Sequence, residues 1–282
     1  ANIDEFHPAT SPKRPAAERS LLDRWMLSEL HLALRDVTGH LDEFRVYEAA
    51  QRLVTLADAV SNWYVRRSRD RYWRKSEAGD QDKWDAYHTL YEVLTTTAQM
   101  AAPFVPFIAD EVYRNLVVRA DEDAPESVHL TDWPAFDAAL TDDALAVEMQ
   151  AVRDIVSLGL ASRAMHQIKV RQPLAEATVI LGHAHLAERL KPYVGLIAEE
   201  LNVKHIHFTQ DAEHVAFLVK PNYRKLGPKY GNVMPVLRKE LDEQTADLPA
   251  FVSISPYQAF NPAAYGPGFL GPRFAPATVG AS

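Results

Sequence analysis

From Leu22 onward an apolar residue recurs every three or four positions: Leu22, Met26, Leu30, Ala33, Val37 and Leu41. That spacing puts them on one face of an α-helix. Ser20, three residues before Asp23, is a start signal, because its hydroxyl can take an unpaired N–H of the first turn. Gly39 lies near the far end, where it loosens the last turn. A second stripe, Val46, Ala50, Leu53, Ala57, Val60 and Tyr64, predicts a helix from about Val46 to Lys75, broken by the polar run from Glu77 to Asp80. Trp84, Tyr87, Tyr91, Leu94, Ala98 and Ala101 predict a third helix facing inward. Pro103 and Pro106 interrupt it, since proline lacks a donor and clashes with the preceding turn. Ile108, Val112 and Leu116 resume as a fourth. Residues 119–135 read as an acidic, proline-containing loop with Val128-His129-Leu130 extended. Thr141 caps a fifth helix, with Asp142 and Asp143 placed against its N-terminal dipole. Its apolar face is Leu145, Met149, Val152, Val156 and Leu160.

The pattern changes after Pro173. Thr178 to Leu181 is a short β-branched run, Ala187 to Leu201 reads as a helix, and Val203 to Phe208 alternates as a strand does. Val215 to Val219 reads as another strand and Val233 to Leu241 as a last helix. Residues 249–282 hold six prolines, four glycines and a single charge, Arg273, with no surviving period. Such a segment cannot bury enough apolar surface to order itself. The fold class is therefore mainly α: a helical bundle over residues 1–165, a small α/β domain over 166–248 and a disordered tail over 249–282.

Composition narrows the chemistry. Hydrophobic residues make up 47% of the 282, enough for a real core, yet no apolar run reaches the ~18 residues needed to span a membrane. The N-terminus has neither the basic nor the apolar part of a signal peptide. It also lacks an initiating Met, which suggests a processed or partial chain. With no cysteine, disulfides and thiolate metal sites are excluded, and a cytoplasmic location is expected. The net charge of −8 argues against a DNA-coating protein. Recognition of nucleic acid needs only a local basic surface.

Such a surface exists. Ser61 to Lys75 carries six cations against one acid, Asp70, with Trp63 and Trp73 among them. Arginine forks fit phosphate oxygens, and aromatic rings stack on bases or cover helix partners. Each arginine has the competing option of pairing with an acid on a neighbouring helix. Trp63 and Tyr64 read as core.

Four stretches carry a resemblance: Leu22-Asp-Arg-Trp-Met-Leu-Ser-Glu-Leu30, Ser61-Asn-Trp-Tyr-Val-Arg-Arg-Ser-Arg69, Ala102-Pro-Phe-Val-Pro-Phe-Ile-Ala-Asp-Glu-Val-Tyr113 and Val128-His-Leu-Thr-Asp-Trp-Pro134. In this order they resemble the anticodon-binding helical bundle of the class I aminoacyl-tRNA synthetases for isoleucine, valine and leucine. Ile168-Lys-Val-Arg-Gln-Pro-Leu174 and Lys220-Pro-Asn-Tyr-Arg-Lys-Leu-Gly-Pro-Lys-Tyr-Gly231 are similar to the isoleucyl branch, in the form without a cysteine-zinc tail. The resemblance covers roughly residues 1–245 and does not extend into the tail. A truncation, or a frame shift near residue 245, is one reading of that. The family attaches isoleucine to its tRNA with ATP and magnesium, and hydrolyses mischarged valine in an editing domain. No HIGH-type or KMSKS-type stretch is present, so the resemblance implies that the catalytic and editing parts would precede Ala1. It also implies that this chain carries no cofactor and is inactive alone. Its partners would be the tRNA for isoleucine and that catalytic domain, with no membrane and no DNA.

The residues expected to meet tRNA are Arg66, Arg67, Arg69, Arg71 and Arg74, then Lys169 and Arg171 at the junction to the small domain. Lys220, Arg224, Lys225 and Lys229, around Gly227 and Gly231, complete the set. Lys169 and Arg171 have docking of the small domain as their alternative, and the 220–231 stretch an ordinary surface turn. His183 with His185 and His205 with His207 form two His-x-His pairs. Without cysteine or suitable carboxylates, they read as surface histidines rather than a zinc site. The rival identities are a valyl or leucyl enzyme, a free-standing RNA-binding module and a helical scaffold.

Overall fold

The structure is a computed structural model that describes residues 6–75, 80–181 and 184–210. The readings at Val215–Val219, Val233–Leu241, the tail, His183, Lys220, Arg224, Lys225 and Lys229 lie outside the described residues. The described residues fall into two compact units, divided between Ala146 and Val147.

The first unit is built on α1 (Leu21–Asp42), 22 residues long and about 33 Å at 1.5 Å per residue. Ser20 caps it as expected: its Oγ accepts from the Asp23 N–H at 3.3 Å and donates to Asp23 Oδ2 at 2.7 Å. The predicted stripe holds at Met26, Leu30, Ala33 and Val37, all at 0% exposure. Burial is nonetheless broader than one stripe. Trp25, Leu27, Leu32 and Leu34 are buried too, so the middle of α1 is enclosed on every side. The polar residues on that helix must then find partners inside the protein. Ser28 Oγ accepts from the Asp142 N–H at 2.8 Å, and Glu29 receives Arg52 Nη1 at 2.7 Å. His31 Nδ1 accepts the Asp137 N–H at 3.2 Å. Burial lowers the His31 pKa, against the pull of Glu92 and Asp137. The neutral ring is the form that accepts at Nδ1.

Helix α2 (Val46–Asp58) returns along α1 and continues through a π-helical turn, Ala59–Val65, to the short α3 (Arg69–Trp73). The single helix expected from Val46 to Lys75 is therefore interrupted, at the π turn and at Ser68. The buried face is Ala49, Leu56, Ala59, Val60, Trp63 and Tyr64. The predicted stripe is right at its end, Val60 and Tyr64, and wrong at its start, where Val46 is 54% exposed. A π turn adds a residue to the ladder and rotates the helix on its far side. The inward face upstream is consequently not the one that a uniform period projects back from Tyr64.

Helix α4 (Gln81–Ala101) lies against α1, and α5 (Pro106–Tyr113) starts with its proline at the first turn, where no donor is needed. Ala102, Ala109, Tyr113 and Val128 form a second small core. The stripe expected for the fourth helix is out of register, because Ile108 is 64% exposed while Ala109 and Tyr113 face inward. Val128–Leu130 is a 3-10 turn capped by Ser127, not an extended run, and it buries Val128. A second π turn, Arg114–Val118, continues from α5. The cap of α6 (Asp143–Met165) is Asp142, whose Oδ1 accepts the Leu145 N–H at 2.9 Å. Thr141 instead donates to the Ala138 carbonyl.

The second unit takes up most of α6. In it, β1 (Leu174–Ile180) pairs in parallel with β2 (Val203–Thr209), Leu174 opposite Val203 and Glu176 opposite His205. Parallel neighbours need a long crossover. It is supplied by α7 (Ala184–Leu190) and α8 (Val194–Leu201), which Pro192 and a 3-10 turn separate where the sequence predicts one helix. Arg163 fastens this unit. It is 3% exposed, and its guanidinium donates to the carbonyls of Lys169, Gln172 and Asn202 at 3.0–3.1 Å. No helix among the described residues is long and apolar enough to cross a membrane.

Asp154 on α6 is 8% exposed, and its Oδ2 has no hydrogen-bond partner. Burial pushes its pKa up to about 6, against the opposing help of Gln150 and Arg153. A raised folded pKa gives stability that is present below the unfolded value and lost as pH rises through about 6. In urea denaturation of wild type and Asp154→Asn at several pH values, wild type should therefore gain on the variant from pH ~7 to ~4. A constant difference across that range would contradict the assignment.

Candidate nucleic-acid interface

The N-terminus of α1, the π turn, α3 and the N-terminus of α4 meet at one end of the first unit. Asp23 sits in the middle at 0% exposure. Arg71 grips it with two bonds, Nη1 to Oδ1 at 2.9 Å and Nη2 to Oδ2 at 2.6 Å, while Tyr64 Oη donates to Oδ1 at 2.5 Å. Ser20 completes the set at Oδ2. Burial alone would raise the Asp23 carboxyl, but the hydrogen bonds and charge of Arg71, with Tyr64 and Ser20, hold it below its ordinary value. Burial pushes the Tyr64 phenol well up. At neutral pH the cluster is thus a carboxylate, a guanidinium and a neutral phenol, each with its polar atoms engaged. Arg71 also reaches Asp82 Oδ2 through Nε at 3.1 Å and the Asp82 carbonyl through Nη2 at 2.8 Å, which ties in α4.

This arrangement divides the arginines that the sequence groups together. Arg71 has a side chain 13% exposed and is committed to Asp23 and Asp82. Arg74 is half exposed and pairs with Asp80 at 2.5 Å and Asp82 at 2.9 Å. Arg66 and Arg69 are exposed and Arg67 half-buried. Arg66 Nε donates to the Asn62 carbonyl at 2.8 Å, and the Arg69 guanidinium lies 5.8 Å from the ring centre of Trp73. Trp63 and Tyr64 are core, as read from the sequence, whereas Trp73 is 76% exposed. The outward surface at this end is therefore Arg66, Arg69, Trp73, Arg74 and Lys75, with Arg71 beneath it as the fastening.

Lys169 and Arg171 belong to the second unit. Both side chains are exposed. The fastening at that junction is made by the Lys169 carbonyl and by Arg163, which sequence reasoning did not single out. A buried arginine aimed at three carbonyls leaves no signature beyond its place in an amphipathic helix. The β2 histidines are exposed, and His207 Nε2 lies 3.4 Å from Glu176. Among the described residues no group of three or more His, Asp or Glu is arranged to hold a metal.

The opposite end of the first unit differs in kind. Gln99 meets Thr131 and Trp133 meets Thr38 there, and Phe44 before α2, Tyr47 in the first turn of α2 and Phe107 and Ile108 in the first turn of α5 are 64–91% exposed. Phe44 adopts φ 58°, a left-handed conformation costly for a bulky residue. Phe44, Tyr47 and Phe107 carry no periodic signal that singles them out in the sequence, whereas Ile108 was expected to face inward.

A family model described as the anticodon-binding domain of tRNA ligase matches residues 23–180. The isoleucine--tRNA ligase of Clostridium novyi (strain NT) is 42% identical over 243 residues, covering 86% of this chain and 22% of that protein. The isoleucine--tRNA ligase of Deinococcus radiodurans is 42% identical over 247 residues, covering 87% of this chain and 22% of that protein. That of Bacillus thuringiensis (strain Al Hakam) is 39% identical over 258 residues, covering 90% of this chain and 23% of that protein. The chain thus spans about a fifth of the length of the curated relatives it matches.

Two substitutions separate fastening from surface. Breaking a buried pair leaves an uncompensated charge, so Arg71→Met should cost about 3–5 kcal/mol in urea denaturation, much of it restored in the Asp23→Leu/Arg71→Met double variant. Arg74→Ala should cost under about 1 kcal/mol, the scale of exposed ion pairs. Equal losses from the two single variants would contradict the division. On the match over residues 23–180, this chain belongs to the anticodon-binding domain family of tRNA ligases.

Proposed function

We propose that this chain is the tRNA-binding part of an isoleucine–tRNA ligase, with the tRNA for isoleucine as its ligand and the ligase's catalytic domain as its covalent neighbour. The observation that carries the reading is the 38–42% identity to isoleucine--tRNA ligases over most of the chain. The geometry supports it. Arg66, Arg69 and Lys75 stand outward on a segment whose fold is secured by Arg71 rather than by the cations that would meet RNA. Guanidinium forks on phosphates fix register, and unpaired bases are read by stacking and edge contacts. Aminoacylation, with ATP and magnesium, belongs to the whole ligase, as does the cytoplasmic location.

Filter binding of the 282-residue chain to isoleucine tRNA at two salt concentrations tests this. Affinity should fall with salt on a log–log scale, and Arg66→Gln and Arg69→Gln should each reduce the slope by about 0.7–0.9 per contact removed. Absence of binding at low salt would refute the tRNA reading. Equal affinity for valine tRNA would refute the isoleucine assignment.

A further inference from the structure

The basic end of the first unit holds an open cleft of about 700 Å³. That is within the ~300–1,000 Å³ of ordinary small-molecule sites. Tyr72, Tyr87 and Tyr91 line it, joined by Phe6, whose ring lies 5.2 Å from that of Tyr87. Tyr72 and Tyr87 pack on one another at 5.3 Å, so these rings also serve the core. Trp73 does not: it lines the cleft yet is 76% exposed. Arg74, Lys75 and Arg119 carry positive charge around the mouth, and none of the described lining residues is acidic.

An exposed indole is a poor use of about 200 Å² of aromatic surface unless something covers it. The Arg69 guanidinium lies over Trp73 at 5.8 Å, which holds the indole in place before any ligand arrives. Flat aromatic surface beside cations suits a ligand that is planar at one end and anionic at the other. Arg74 is already paired with Asp80 and Asp82, so a purely apolar ligand would leave Lys75 and Arg119 unmatched, and an acidic peptide would leave the rings unmatched.

We propose that this cleft receives one unstacked nucleotide of a single-stranded stretch of RNA, its base against Trp73 and its phosphate against Arg119 and Lys75. The inference rests on the tRNA-binding reading above and gives it a location: an unpaired nucleotide is drawn out of the RNA at the basic end of the helical unit. Because every base offers a π face, the cleft fixes position and tolerates any base.

The test is fluorescence anisotropy of labelled single-stranded hexaadenylate with the 282-residue chain, beside an abasic hexamer of the same length. Stacking on an aromatic contributes about 5- to 150-fold in affinity per base. Trp73→Leu should weaken hexaadenylate binding by at least fivefold without changing the salt slope. The abasic hexamer should bind wild type and Trp73→Leu alike. Arg119→Gln, an exposed position, should lower the slope by about 0.7, the single-strand value per phosphate. Unchanged hexaadenylate affinity in both variants, each with a wild-type circular dichroism spectrum, would overturn the inference. If isoleucine tRNA still bound in that case, the cleft alone would be lost. If neither RNA bound wild type, both readings would fall.

Discussion

A buried carboxylate organises the first unit. Asp23 lies in the first turn of α1, and without compensation its charge would cost several kcal/mol inside the protein. Compensation comes from Arg71, 48 residues later, and from Tyr64 and Ser20. Those partners fix where α2 must end, how the π turn must orient Tyr64 and where α3 must sit. Helix α3 has five residues, too few to persist alone in water. It holds its place because Arg71 is fastened on one side to α1 and on the other to α4.

That fastening lets one short segment serve two purposes. Helical geometry turns Arg71 inward and leaves Arg69 and Trp73 outward. The inward arginine is bidentate and desolvated, so its geometry is specific. Arg69 and Trp73 remain in contact with water. Chemically identical side chains thus do different work according to which carboxylate, if any, lies in reach. The same logic recurs in the second unit, where the buried Arg163 holds three carbonyls while Lys169 and Arg171 remain outside.

Local signals were legible in the sequence. The Ser20–Asp23 cap depends on four consecutive residues, and the stripe of α1 comes from a regular helical period. The parallel strand β2 was visible in its alternation, and the core placement of Trp63 and Tyr64 was read correctly. The features that escaped were set by distant partners or by irregular backbone. The π turn at Ala59–Val65 displaced the stripe of α2, so Val46 was assigned inward when it faces solvent. The cap of α6 moved by one residue, because Asp142 both caps the helix and donates its N–H to Ser28 on α1. Nothing near Arg71 in sequence announces Asp23, so the inward arginine could not be told from its neighbours. The cleft was equally hidden, since Phe6, Trp73, Tyr91 and Arg119 come from four separate segments.

On the proposed function, nucleic acid would bind at the end where Asp23 and Arg71 meet, rather than around Phe44 and Phe107. Hydrogen–deuterium exchange of the 282-residue chain with and without isoleucine tRNA tests that placement most directly. The expected result is slowed exchange in residues 66–75 and 115–120, with the turn at 43–47 unchanged. Protection confined to 43–47 and 104–108 would contradict it.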